Sequence, residues 1–387
     1  MSVQSATGTG VWGELVGQDR AMATLKRAVT DPSAMTHAWL ITGPPGSGRS
    51  NAALAFAAAL QCPRGGCGEC QVCTSVLAGT NPDVEVLRTD KVVIAIDEVR
   101  ELVTTAGRSP VGGRWRVIIV EDADRMIERT TNVLLKAIEE PSPRTVWILC
   151  APSPMDVLVT IRSRCRAVSL QVPDTQAVAD LIVRRDGVSP QVALDAARAA
   201  WSHVGRARRL ANDPAVAHQR ISALRAVLTM RGVAGAVRLA GELVQNAKDE
   251  AAALSEESEA RERGELLTAL GAQDLRTLPP AIRSQVRHLE EDQKRRRRRR
   301  EIDTVDQLLI DIAGLFRDVL VTAIDAQVET LNSSIQDDIE AAAAQLGTTA
   351  ALAALDSVAL ARTRIAGNVT PLLAIEALLV SIAEPRR

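Results

Sequence analysis

Three groups of residues in this chain have types and spacings that can do chemistry. The first is Gly43-Pro44-Pro45-Gly46-Ser47-Gly48-Arg49-Ser50. Glycines at 43, 46 and 48 let backbone N–H groups curl around phosphate oxygens, and a helix starting behind them adds its positive end. Such a phosphate loop normally carries Lys before its final Ser or Thr, and here Arg49 stands in that place. Arg keeps the charge, but its planar fork is larger and differently shaped, so the exchange is not conservative. Ser50 still offers a hydroxyl to Mg²⁺. The layout leaves ATP/Mg²⁺ binding open and argues against efficient hydrolysis.

The second group is Cys62, Cys67, Cys70 and Cys73, spaced C-x4-C-x2-C-x2-C. Four thiolates so close together can surround one tetrahedral Zn²⁺, in a closed site that is structural rather than catalytic. Gly65-Gly66 and Gly68 let the chain turn sharply between ligands. Redox-active cysteines and an iron–sulfur cluster are the rival readings. Cys150, at the end of an apolar run, reads as core packing. The third group is the acidic pair Glu121-Asp122, directly after Val117–Val120.

These groups need a scaffold, and the apolar pattern supplies one. Short runs at Ala38–Thr42, Val84–Leu87, Val117–Val120 and Val146–Cys150 predict strands, and Val-Ile-Ile-Val suits a strand buried on both faces. Helical stretches at Asn51–Leu60, Asp97–Ala106 and Thr130–Glu139 lie between them, so a parallel α/β sheet is expected. After Val172-Pro173 the pattern is helix after helix, broken at Gly187–Pro190, Asp213-Pro214 and Pro279-Pro280. The expected partition is an α/β domain over 1–172, a small helical lid over 173–213 and a helical domain over 214–387.

Composition limits the function classes. The net charge is −1, so any nucleic-acid contact must come from local patches or from a complex. The first residues lack the basic-then-apolar pattern of a signal peptide, and no window approaches the ~18 consecutive apolar residues of a membrane span, so a cytoplasmic protein without membrane contact is expected. Lys294 followed by Arg295–Arg300 is the one low-complexity segment. It reads either as a phosphate-contacting patch or as a solvated helix end whose charge the flanking Glu290, Glu291, Asp292, Glu301 and Asp303 compensate.

Taken in order, His37–Gly46, the four-Cys module, Asn81-Pro82-Asp83-Val84, Ile96–Leu102, Asn132–Pro141 (NVLLKAIEEP) and Ser163-Arg164-Cys165 resemble the bacterial clamp-loader branch of the AAA+ family across residues ~15–210. The resemblance implies an AAA+ P-loop domain with an inserted zinc module, a lid domain and an all-α C-terminal collar domain. It also implies an arginine finger at Arg164, reaching a neighbouring subunit's ATP, with Ser153 and Arg206 as sensor residues near the chain's own nucleotide site. Hydrolysing members place Asp-Glu where this chain has Glu121-Asp122. An acid one methylene too long and another one too short displace metal and water by ~1 Å, which can cost ~100-fold in rate. With Arg49, this resembles the non-hydrolysing subunits of the branch rather than its gamma/tau motor, which stays the alternative. Implied partners are the clamp-loader delta and gamma/tau subunits, the sliding clamp, and primed DNA through the complex; nothing resembles a polymerase active site. A zinc-dependent DNA-binding protein using the Cys knuckle and the Arg run is the third reading. Two features depart from the family: the Cys module has a shorter first gap, and the charged segment over about 254–300 has no counterpart.

Overall fold

A computed structural model describes residues 10–89, 93–269, 272 and 279–383. The chain divides into two compact units, one ending at Asn212 and the other starting at Asp213.

In the first unit, a 3-10 turn at Gly10–Trp12 precedes α1 (Asp19–Thr30), β1 (Ala38–Thr42), α2 (Arg49–Gln61) and α3 (Gln71–Leu77). Next come β2 (Val84–Leu87), α4 (Ile96–Ala106), β3 (Arg116–Val120), α5 (Glu128–Glu139) and β4 (Thr145–Ala151). Then α6 (Val159–Arg162), β5 (Arg166–Ser169), α7 (Thr175–Asp186), α8 (Pro190–Ala199) and α9 (Val204–Asn212) complete the unit. The strands form one parallel sheet in the order β2-β3-β4-β1-β5. Alternate residues face opposite layers. Trp39, Ile41, Val117, Ile119, Val146, Ile148 and Cys150 pack with α1 and α2, whereas Ala38, Leu40, Ile118, Val120, Trp147 and Leu149 pack with α4 and α5. Such two-sided burial is what a central parallel strand requires. Helix α2 is buried from Ala52 to Gln61 apart from Leu54, and its alanines let it lie close against the sheet.

Strand β5 was not among the expected strands: Arg166–Ser169 adds an edge strand beside β1, within the expected α/β domain. An edge strand buries little, here only Val168, so it shows no apolar run. In the helical part, Asp174 caps α7, Gly187 ends it at φ 71°, and Ser189 caps α8 ahead of Pro190.

The Asn81-Pro82-Asp83 motif ties the sheet to the loop before β3. The Asp83 carboxylate is buried and accepts from the N–H groups of Val111 (2.7 Å), Gly112 (2.9 Å) and Gly113, with Arg116 at 3.5 Å. Arg116 also donates to the carbonyls of Pro82 and Ser109.

The second unit is helical: α10 (Pro214–Thr229), α11 (Gly232–Ala269), α12 (Pro280–Ala323), α13 (Gln336–Ala366) and α14 (Pro371–Ala383). Leu309, Ile312, Leu315, Phe316 and Val319 of α12 form the centre of its core. Asp318, fully buried, accepts from the N–H groups of Leu331 and Asn332 and so fixes the turn after α12. The stretch Ser333–Ala366 is long and apolar enough to cross a membrane, but it breaks at Gly347 (φ 68°) and buries Ile339, Ala351 and Val358 in this core. The charged segment over about 254–300 is carried largely by the ends of α11 and α12 that face the intervening loop; residues 270, 271 and 273–278 lie outside those described. The Arg run is therefore inside α12, not at a helix end.

Removing the Asp83 carboxylate leaves a buried guanidinium and three N–H groups without their acceptor. Asp83→Ala is expected to destabilise the chain by about 3–5 kcal/mol in urea unfolding. Burial alone would raise the Asp83 pKa, but the three N–H donors and Arg116 outweigh it and hold it below the ordinary value. The stabilisation is thus present above the ordinary carboxylate pKa and lost as pH falls through the lowered one. Asp83→Asn should accordingly flatten the acid limb of the stability profile, measured by urea midpoints below about pH 4.

Candidate nucleotide site and cysteine cluster

Parallel sheets gather loops at the carboxyl ends of their strands, and this one does so with the sequence-predicted residues. Loop 43–48 joins β1 to α2. Gly46 (φ 85°) and Gly48 (φ 87°) take left-handed conformations, and Gly48 caps α2 without a side chain. First-turn N–H groups of a helix lack intrahelical acceptors, so the start of α2 is electropositive. Ser47 is buried and its hydroxyl has no partner. Arg49, at the first position of α2, donates from its guanidinium to the carbonyl of Gly43, across the loop it belongs to.

Beside the loop lie the acids that follow β3. Glu121 accepts from Arg88 Nε at 2.9 Å, and Asp122 stands 3.7 Å from Arg125. Asp124 is half-buried, and burial together with the charge of Asp122 pushes its carboxyl up. Cys150 Sγ lies 3.9 Å from the Arg49 carbonyl; burial first, then Glu121, pushes its pKa up to about 12, which leaves a neutral core thiol. Arg49, Glu121 and Asp122 thus converge around Cys150. Ser153 does not join them through its hydroxyl, which accepts from Met155 N at 3.2 Å and caps a 3-10 turn.

The helical residues after β5 bring a group that the sequence reading missed. A side chain at Gly46 would meet the His203 ring at 3.0 Å, so the imidazole covers the phosphate loop. His203 precedes α9 and accepts at Nδ1 from Arg206 N (3.3 Å). Burial lowers its pKa, and the charges of Arg206 and Arg49 lower it further, so the ring is held neutral. Trp201 and Ser202 precede it at φ 53° and 60°, a strained pair of the kind that occurs where a side chain must be aimed. The Arg206 side chain donates to Ala199 O at 3.4 Å. Arg208 is committed elsewhere, gripping Asp186 through two 2.8 Å bonds and drawing that carboxyl down to about 2. Gln18 is also buried here, bridging Ser47 O (3.4 Å) and Gln171 O (2.7 Å), and Gln171 N donates back to it at 3.0 Å. Single Gln and His residues carry no motif; only the fold reveals them.

Arg164 is absent from this convergence. It lies on the surface after α6, 41% exposed, 2.5 Å from Glu139 and donating to Thr160 O at 2.9 Å. Glu139, in the NVLLKAIEEP stretch, was not singled out from sequence.

The four-Cys turn lies between α2 and α3. The sulfur atoms lie within 4.8 Å of one another, with Cys62–Cys67 at 3.7 Å, Cys62–Cys70 at 3.8 Å and Cys67–Cys73 at 3.9 Å. Ligands about 2.3 Å from a tetrahedral zinc are spaced about 3.8 Å apart, so the set fits a metal ion. Backbone N–H groups point at sulfur, Arg64 N to Cys62 at 3.3 Å and Cys73 N to Cys70 at 3.5 Å. Burial would raise the Cys62 pKa, but N–H donors from Cys67, Gly66 and Arg64 outweigh it and bring it to about 6. Burial pushes Cys73 up instead. Gly66 (φ 102°) closes the turn against Val11, which donates to its carbonyl.

Known proteins resemble the first unit. Residues 17–174 match the family described as DNA polymerase III, delta subunit. The DNA polymerase III subunit delta' of Pseudomonas aeruginosa is 37% identical over 165 residues, 41% of this chain and 50% of that protein. The delta' subunit of Bacillus subtilis is 30% identical over 179 residues, 46% of this chain and 54% of that one. The gamma/tau subunit of Mycobacterium tuberculosis is 32% identical over 230 residues, 51% of this chain and 39% of that one. The chain spans about half the length of the delta' relatives it matches.

Gly46→Ala combines a left-handed backbone with a collision against His203, and should cost about 1–3 kcal/mol in chemical unfolding. His203→Ala in the same chain should recover only the part due to collision, a non-additivity that a double-mutant cycle measures.

Proposed function

We propose that this chain, whose residues 17–174 match the family described as DNA polymerase III, delta subunit, acts as a delta'-type subunit of a bacterial clamp loader. In this reading it sits in a ring with delta and gamma/tau subunits that places the sliding clamp on primed DNA in the cytoplasm. Residues 173–213 serve as the lid, and the helical domain over 214–387 as the collar that joins the ring.

The observation that carries the reading is Arg49 turned back onto Gly43 O, in a loop flanked by acids that pair with Arg88 and Arg125. A phosphate loop whose cation bonds its own carbonyl is poorly set for turnover, so the chain's contribution to ATP chemistry lies elsewhere. Arg164 supplies it, donating charge to the nucleotide of a neighbouring subunit where the γ-phosphate develops negative charge. Glu139 holds it on the surface until that neighbour is present. Gly43, Gly46, Gly48, Ser50, Glu121 and Asp122 line a degenerate site in which ATP binds without efficient hydrolysis, and Ser153 and Arg206 would have to leave Met155 N and Ala199 O to reach it. A Zn²⁺ held by Cys62, Cys67, Cys70 and Cys73 cross-links the turn between α2 and α3 and takes no part in the reaction.

The match to gamma/tau subunits favours a second reading, an ATP-hydrolysing motor in which Arg49 works as Lys does. Arg49→Lys distinguishes them: a motor would change its turnover little, and robust DNA-stimulated ATPase from the isolated chain would contradict the first reading.

In a reconstituted loader, Arg164→Ala is expected to cut clamp- and DNA-stimulated ATPase sharply while the ring still assembles, since such a finger is worth about 10³–10⁵ in rate at the site it serves. Undiminished turnover would remove the finger from the proposal. Cys67→Ser should lower bound zinc in the purified chain, read by metal analysis, and reduce its thermal stability without changing its nucleotide affinity.

A further inference from the structure

The Arg run in α12 is divided by its neighbours into two sets of unlike purpose. One set staples α12 to α11: Arg296 pairs with Glu262, Arg297 with Glu259, and Arg300 donates to Ser255 Oγ at 2.8 Å. Arg263 and Glu290, at 2.8 Å, repeat the bond with the charges exchanged. These residues are committed within the hairpin.

Arg287, Lys294 and Arg298 make no ion pair among the described residues, and all are exposed. At 3.6 residues per turn they fall within about 40° of one another, to one side of the residues that contact α11 and bordered by Glu290 and Glu301, and they span about 16 Å along the axis. Glu291 lies on the same face, beside Arg295 at 3.9 Å.

We propose that this face of α12 is a contact for the phosphate backbone of duplex DNA. Charge and chemistry select that partner. A protein interface needs apolar anchors at its centre, and no large exposed apolar side chain occurs among the described residues between 255 and 300. Single strands are held by stacking on aromatic rings, and the stretch from Ser255 to Arg300 has no Phe, Trp or Tyr. What remains is a line of long cations on a rigid rod, which suits an evenly charged strand and carries no base readout. The net charge of −1 conceals this face because it sums the whole chain, and the nearby Glu259, Glu262 and Glu290 are engaged by Arg297, Arg296 and Arg263.

The inference is independent of the clamp-loader reading, and its test uses the full chain alone. Binding to a fluorescein-labelled duplex of arbitrary sequence is measured by anisotropy across a salt series. The R287Q/K294Q/R298Q variant leaves every named staple intact, which circular dichroism checks. It is expected to lose at least about tenfold in affinity at low salt, and the slope of log K against log salt should shrink by up to about 2.7. R287K/R298K, which keeps the charge, should retain the slope. R296Q/R297Q should lower the melting temperature more than it alters the slope. Unchanged affinity and slope in the triple glutamine variant would overturn the proposal, as would a wild-type chain that fails to bind the duplex. Loss of loader ATPase in Arg164→Ala would be unaffected by either result.

Discussion

The register of β4 is the constraint on which the first unit depends. β4 is buried along its full length between β1 and β3, and the pairings Thr42↔Ala151 and Val120↔Leu149 make β1 end level with β4 and β3 end opposite Leu149, near the same edge. One end releases the phosphate loop, another releases Glu121 and Asp122, and the third leads to Ser153. A slip of one residue would turn Trp147 and Ile148 into each other's layers and carry the loop away from the acids. The cluster is therefore a product of side-chain packing some distance from it. The two large tryptophans illustrate this: Trp39 and Trp147 are both fully buried, on opposite faces of the sheet.

The parts of this arrangement that obey a period or a motif were legible in the sequence. The four expected strands were found within one residue at each end: β1, β3 and β4 carry unbroken apolar runs that suit a doubly covered strand, and β2, at the edge of the sheet, keeps an alternating Val84-Glu85-Val86 pattern. The Cys spacing announced itself in the same way, since a tetrahedral set needs little beyond ligands and turns. What escaped was set by tertiary contact. β5 needs only Val168 buried, so its sequence resembles any polar loop. His203 and Gln18 act through where α9 and α1 begin, and no local pattern of one His or one Gln could reveal that. Ser153 was placed near the right strand end, but which way its hydroxyl points depends on the 3-10 turn that follows.

In the second unit the same limit appears in a different form. Asp318 and Asp83 are both buried carboxylates that accept backbone N–H groups, and each fixes a turn that leads into or out of a long element. Such residues look like ordinary surface acids in a sequence of 24% charged residues. Only the absence of water around them makes their bonds strong and their loss expensive. The Arg run shows the converse. It looked uniform as text, yet the helix divides it by angle into residues that hold α11 and residues that face solvent.

The departures from a working phosphate site are mutually consistent rather than separate defects. A Lys in such a loop and an acid after the neighbouring strand normally find their partners in a phosphate and a metal ion. Here Arg49 bonds Gly43 O, Glu121 accepts from Arg88, and Asp122 faces Arg125, so each charge is answered within the chain. The neutral His203 ring lies against Gly46 of the loop. A nucleotide must displace these internal partners before its own contacts form, and only the surplus counts as affinity. A loop satisfied in this way keeps its shape without a ligand. In the proposed reading, that property suits a subunit whose fold stays fixed while chemistry proceeds at a neighbour's site.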